Sequence, residues 1–352
     1  MAKDVRIVIN LAKSVTGAGF GYPLIFQGKA TTAVPYTECA DIDEVIKAVG
    51  GITAEDDESA IATKTATAKE SPIYKAALLM LMQDTAPEKI AVYASKDVAT
   101  TAIAGILHLG WRQLVVVSAG TEGEDTLKAI SDYIETTGKM FFVSVKDKAA
   151  LTAASLSEND RTVVLVHEDD DATVVFPEAA LVGATAGKAA GSITYMHKAL
   201  KGLTPKVMTT AEINAIHELN GIAFVLASGD GVTSEGICAS GEYVDIIDSK
   251  DYIIQNMEYR IEKLLHSVDK LKYDNAGISR IENVCYDVLK DAANNGIIAL
   301  TDEGVPDFSV SFKVRNDTKA ADRAARRYVE GSFRFALAGA IHSVEIVGTI
   351  EI

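Results

Sequence analysis

The chain has 352 residues, 48% of them hydrophobic, with 49 acidic against 34 basic side chains for a net charge of −15. That length accommodates about two or three domains with ordinary cores, and the acidic balance argues against nucleic acid or an anionic membrane as the main partner. No apolar run approaches the roughly 18 to 20 residues needed to cross a bilayer, and 1–10 is charged and alternating, unlike a signal peptide, so a cytosol-like compartment is expected.

The first predicted element is a strand. Val5, Ile7, Ile9 and Leu11 are apolar on odd positions with Asp4, Arg6 and Asn10 between them, a period of two that fits a half-buried strand. The adjoining stretch 14–21 is rich in small residues and carries Gly17, Gly19 and Gly21. It reads as a flexible joint, so the strand is either an arm held away from the body or an edge strand of its own sheet. From Tyr22 the chain alternates. Strands are expected at 22–27, 89–94, 113–118, 140–145 and 162–167, with helices between them. Asp41 with Glu44 forms a capping box, Ser71 and Pro72 open a helix over 73–83, Asp97 caps 98–108, and 121–137 ends at Gly138. Short buried strands alternating with helices predict an α/β fold with a doubly wound, mostly parallel sheet. The stretch 53–70 is low in large apolar residues and reads as a loop or hairpin.

Past His167 the pattern changes. Glu168 to Asp171 is an acidic turn, 176–190 is helical and rich in small residues, and 212–219 is a short helix before a strand at 222–227. A loop over 229–241 precedes a long helix at 249–270 and another at 278–293, which stops at Asn294, Asn295 and Gly296. A boundary is therefore expected near Val174, with an α+β domain beyond it. The end of the chain is predicted as a strand (308–314), a basic helix (317–329), a strand (333–338) and a last strand (343–352). In that last strand Val344, Ile346, Ile350 and Ile352 alternate with Ser343, Glu345, Thr349 and Glu351, with Val347 the exception. Between Ser311 and Ala340 stand seven basic residues, Lys319, Arg323, Arg326 and Arg327 among them, against three acidic ones. A basic element on an acidic chain points to an acidic partner surface or a second copy; the alternative is a solvated face with internal pairs such as Asp322 with Arg326.

The chemistry-bearing motifs are weak. Gly183 to Ala189 is the best phosphate-loop candidate, yet it has one residue too few between its glycines, no Ser or Thr after Lys188 and no strand to aim it. No GxGxxG comes after the first strand of the sheet, the six histidines never take two-ligand spacing, and Ser228 lacks a GxSxG elbow. The acidic runs at 55–58 and 168–171 do not fit a calcium loop and read as solvated loops. Cys39, Cys238 and Cys285 are odd in number and far apart, so buried free thiols are expected. Catalytic, cofactor-binding and metal residues are accordingly expected to be none, and the chain is read as a non-enzyme.

The run 208–225, MTTAEINAIHELNGIAFV, resembles a segment of contractile tail sheath proteins of contractile-tailed phages and R-type bacteriocins. The subsequent order is similar as well: a hairpin region over 229–248, a helix carrying Tyr252, Arg260 and Leu264, the run 275–289 (NAGISRIENVCYDVL), and the closing EIVGTIEI at 345–352. The likeness covers 176 to the end plus the first strand. It departs in the hairpin, where Gly236 to Ser240 stands in place of the family's Trp-Gly-x-Arg-Thr segment.

The resemblance implies a structural subunit that polymerises as stacked hexameric rings around an inner tube. Contraction of those rings would drive the tube through a target envelope. It implies an amino-terminal arm and tether (1–21), an outer α/β domain (22–173), an α+β assembly domain (174–342) and a carboxyl-terminal arm strand (343–352). The arms would pair with hairpins of neighbouring copies, with Gly17, Gly19, Gly21 and Gly339 as hinges. Lys319, Arg323, Arg326 and Arg327 would contact the tube or a neighbour. The partners implied are the chain itself, the inner tube protein, and baseplate and terminator proteins, with no nucleic acid, membrane or cofactor. Assembly in the bacterial cytoplasm would precede life as a virion or bacteriocin tail. The alternatives are a Rossmann-like cytosolic enzyme with an unrecognised site, or another tail or baseplate component.

Overall fold

The computed structural model describes residues 20–118, 125–156, 158–171, 173 and 175–342, and the chain divides into two compact units, Met1–Asp269 and Lys270–Ile352. The two arm strands, with Val5, Ile7, Ile9, Leu11, Val344, Ile346, Ile350 and Ile352, and the tether glycines Gly17 and Gly19 lie outside the described residues.

In the first unit the elements are β1 (Tyr22–Gln27), β2 (Val34–Cys39), α1 (Ile42–Gly50), α2 (Glu58–Glu70), α3 (Pro72–Leu81), β3 (Ile90–Ala94), α4 (Ala99–Ile106), β4 (Trp111–Val116), α5 (Leu127–Glu135), β5 (Met140–Val145), α6 (Lys148–Ala154), β6 (Thr162–Val166), α7 (Pro177–Ala186), α8 (Thr210–His217), β7 (Ile222–Ala227), β8 (Asp230–Thr233) and α9 (Val244–His266). The strands make one sheet in the order β2-β3-β1-β4-β5-β6-β7-β8. The six inner strands are parallel, and β2 and β8 are antiparallel to their neighbours at the two edges.

Side chains alternate between two apolar layers, as the period-two geometry of strands requires. Ile25, Val92, Val115, Phe142, Leu165 and Phe224 meet Val45 of α1, Ile73 and Met80 of α3 and Leu181 of α7. Leu24, Phe26, Leu114, Phe141, Val143 and Val164 meet Ile103 of α4, Ile130 of α5, Leu151 of α6 and Ile216 of α8. Strands buried on both faces are near-continuous in apolar residues, which is why they were legible.

Both flanks of the sheet are blunted. On β2, Pro35 removes a donor and the register slips between Val34 and Thr37. On β8, Thr233 is already engaged, its carbonyl accepting from His197 N at 2.9 Å and its N–H donating to Lys198 O at 3.0 Å.

Several expectations are corrected. The loop expected over 53–70 contains the thirteen-residue helix α2, capped by Asp57, whose carboxylate accepts from Ala60 N at 2.7 Å; its alanines and threonines carry too weak an apolar stripe to reveal it. Asp97 does not cap α4. Val98 holds that position, and Asp125 reaches across from the other side of the α4–β4 segment to accept from Ala99 N at 2.7 Å. The loop expected over 229–241 begins with β8, which forms a tight hairpin with β7 through Ser228 and Gly229, both at positive φ. Beyond 174 the sheet continues into β7, which pairs with β6.

The second unit contains α10 (Asn275–Asn294), β9 (Phe308–Phe312), a 3₁₀ turn (Arg315–Asp317), α11 (Ala320–Ala324) and β10 (Gly331–Phe335). β9 and β10 form an antiparallel ribbon with Phe333 opposite Val310 and Phe335 opposite Phe308. Those residues are half-buried, whereas Ser309, Ser311, Ser332 and Arg334 on the other face are exposed. Tyr286 of α10 packs edge-on against Phe308 at 5.3 Å, and Phe312 stacks on Tyr328 at 5.6 Å.

Candidate assembly surfaces

The chain enters the first unit through Phe20 and Gly21. The Phe20 ring lies 4.0 Å from the Arg112 guanidinium carbon and 6.2 Å from the Tyr252 ring of α9. Gly21 has φ +98°, and a Cβ there would come within 2.8 Å of Arg112 Cβ and 2.9 Å of Gly110 O. Only glycine fits this turn, so Gly21, expected as a hinge, sits in a tight, packed position. Arg112 itself is 2% exposed and Arg161 is 1% exposed. Arg112 Nη1 donates to Asp251 Oδ2 at 2.7 Å, and its Nη2 pairs with Asp248. Arg161 grips Asp251 with two parallel bonds at 2.8 and 3.0 Å, and Tyr195 Oη donates to Asp248 Oδ2 at 3.0 Å. The cluster balances two positive against two negative charges and ties the starts of β4 and β6 to the first turns of α9. Burial works against the Asp251 carboxylate, but Arg112 and Arg161 outweigh it and hold the carboxyl below its ordinary range.

Sequence reasoning missed this cluster. Two signals were present: arginines at the head of otherwise apolar strands, and Asp248 with Asp251 three apart on one helix face.

In the second unit the expected basic helix over 317–329 is shorter. A 3₁₀ turn and the five-residue α11 replace it, because Thr318 is extended and Arg326 takes φ +55°. The four cations expected at a contact face have different fates. Arg323 is spent internally, its Nη1 donating to the carbonyls of Arg315 and Thr318. Arg327 pairs with Asp322 at 2.8 Å, the role expected of Arg326. Lys319 and Arg326 are exposed and make no ion pair among the described residues. At the carboxyl end, Ala338 N donates to Ile297 O at 2.9 Å. Beyond that bond, Gly339 has open space around its Cβ position, and Ile341 is 82% exposed.

The positions tested for ligand chemistry have structural work. A Cβ on Gly183 would lie 2.1 Å from Met80 O, and one on Gly187 would lie 2.2 Å from Thr85 O. Gly183 thus lets α7 lie backbone to backbone on α3, and Gly187 lets the end of α7 close on the segment after α3. The amino end of α4, where an α/β fold offers an anion site, is filled by the Asp125 carboxylate, which also pairs with Lys29 at 2.5 Å. The acidic turn at 168–171 is not simply solvated. The Asp169 side chain is buried, accepts from Thr204 N at 2.6 Å and faces His167 Nε2 at 3.2 Å, while Asp170 pairs with Lys206, so the turn clasps the segment leading to α8. Cys39, Cys238 and Cys285 are buried free thiols, and no cluster of three or more candidate metal ligands occurs among the described residues.

This is a mixed α/β protein whose distinctive features are its internal ties. No protein-family model and no curated protein matches the chain. Solved structures do. A chain in the cryo-EM structure of the anti-feeding prophage baseplate superposes with a TM-score of 0.68 at 12% identity, covering 100% of this chain and 99% of that one. The sheath complex of an extracellular contractile injection system, in its contracted state, gives 0.66 at 13% identity over 99% and 96%. The crystal structure of a sheath tail protein from Listeria innocua gives 0.58 at 10% identity over 85% and 90%. The chain therefore has the fold of contractile tail sheath and injection-system proteins along its whole length.

Proposed function

We propose that the protein is the structural subunit of a contractile sheath, polymerising as stacked hexameric rings around an inner tube and shortening to drive that tube through a target envelope. The observation that carries this reading is the end-to-end likeness to contractile-system chains, with 100% of this chain and 99% of the other aligned. A fold shared only in a nucleotide-binding core would leave the ribbon and terminal segments unmatched. The internal occupation of the α4 anion position and of the Gly183 and Gly187 surfaces speaks for a non-enzymatic role.

In this reading 22–173 is the outer domain, doubly wound in the sense that helices cover both faces of its strands. Residues 174–342 are the assembly part, and 1–21 and 343–352 are arms. The β9–β10 ribbon is the acceptor. The ribbon has only two strands, backed on one face by α10, and strands added by neighbours would extend it through main-chain hydrogen bonds while covering its edges. The contact is head-to-tail, so it propagates into a polymer instead of closing on two copies. Lys319 and Arg326, exposed and without an ion pair among the described residues, are assigned to the tube or a neighbour, whereas Arg323 and Arg327 shape the loop that presents them. The tube, baseplate and terminator proteins are the remaining partners. Assembly takes place in the bacterial cytoplasm, and the mature particle is a phage or bacteriocin tail.

Negative-stain microscopy of the purified chain tests this. Tubes or stacked rings are expected, and removal of 343–352 should leave dispersed particles with unchanged circular dichroism. Dispersed particles from the intact chain at all concentrations, with or without tube protein, would reject the sheath and favour a cytosolic enzyme.

A further inference from the structure

Residues 1–19 join the body through Phe20, whose ring rests on Arg112 of β4 and Tyr252 of α9 and not on β1, the strand that begins two residues later. β1 is a central strand paired on both sides, with β3 and β4. Tension arriving at Tyr22 would act directly on a strand whose removal opens both apolar layers. Phe20 intervenes. Its ring covers the Arg112 guanidinium at 4.0 Å and approaches Tyr252 at 6.2 Å. The fixed turn at Gly21 presses the backbone onto Gly110 and Arg112. Arg112 is bound in turn to Asp248 and Asp251 of α9, and Asp251 to Arg161 at the head of β6. Charges buried this deeply resist displacement, because separating them without water is costly.

We infer that Phe20, seated on Arg112, is a mooring that spreads pull on residues 1–19 over the Arg112–Asp248–Asp251–Arg161 cluster, and so over β4, α9 and β6 together, before it falls on β1 alone. The source of that pull rests on the proposed sheath function; the contact and its mechanical consequence do not. The aromatic ring is the necessary part. An aliphatic side chain would fill the same space without the attraction between guanidinium and ring face.

Single-molecule pulling on the full chain tests the mooring in two geometries. With handles at the amino terminus and in the exposed Gly229 turn, Phe20→Ala and Phe20→Leu should speed the first opening step about tenfold at a fixed force, and Phe20→Tyr should restore the slow rate. With handles at Gly51 and Gly229, a path that bypasses Phe20, all four proteins should open at the same rate. Equal rates in the first geometry, or the same acceleration in both, would overturn the inference, the latter by showing general destabilisation. Failure of the wild-type chain to polymerise would instead count against the sheath reading and leave this contact untouched.

Discussion

Asp251 accepts three hydrogen bonds from two buried arginines, so Asp251→Asn removes one negative charge from a balanced cluster while keeping its shape. Two guanidinium groups, each no more than 2% exposed, would then share the single carboxylate of Asp248. Breaking a buried pair from one side costs about 3 to 5 kcal/mol. For a unit of this size that corresponds to a fall of roughly 6 to 20 °C in Tm. Urea unfolding followed by circular dichroism should show the midpoint moving with little change in slope. The pH dependence supplies a second check. Because the folded Asp251 carboxyl is held below its ordinary value, its stabilisation is fully present above about pH 4 and is lost as pH falls through the lower folded value. The acid limb of the stability curve should therefore be shallower in Asp251→Asn than in the wild type. A loss under about 1 kcal/mol, the range of exposed pairs, together with an unchanged acid limb, would show that the cluster does not hold α9 to the sheet.

Glu178 lies fully buried on α7, accepting from Ser144 Oγ at 2.6 Å, and burial pushes its carboxyl up to about 7. Its stabilisation is present below the unfolded value of about 4.3 and is lost as pH rises to about 7, so Glu178→Gln should flatten stability across that window and raise it by up to about 3 kcal/mol at pH 8. Gly183→Ala would drive a methyl group into Met80 O and should cost at least about 1 to 3 kcal/mol by overpacking, measurable as a lower Tm. Lys319→Glu combined with Arg326→Glu should weaken polymer formation or tube binding in a sedimentation assay at low salt, with the difference fading as salt approaches about 1 M. Unchanged pelleting at low salt would remove these two residues from the contact.

The parallel core was legible because Leu24, Phe26, Leu114, Phe141 and Val164 belong to apolar runs with capped helices between them. The features that escaped are held by contacts between residues distant in sequence. Asp125 caps a helix that begins twenty-six residues earlier, and Arg161 meets Asp251 ninety residues away; local pattern carries no trace of either. The helix expected over 317–329 shrinks to the short α11 because Thr318 is extended, Arg326 takes positive φ and Arg323 turns inward to satisfy carbonyls at Arg315 and Thr318. The cation selection at the candidate contact changed for the same reason. Sequence shows four charges, but only side-chain geometry reveals which two are already engaged.

The two flanks of the large sheet bear on how copies of this chain coexist at close quarters. Pro35 and the slipped register spoil one border as a template, and the 197–198 segment occupies part of the other. Crowded molecules thus find few main-chain groups on the broad sheet to zip together, which guards against amorphous fibres. In the proposed sheath, growth would fall instead to the slender ribbon of the second unit, where stickiness can be rationed to the intended neighbour.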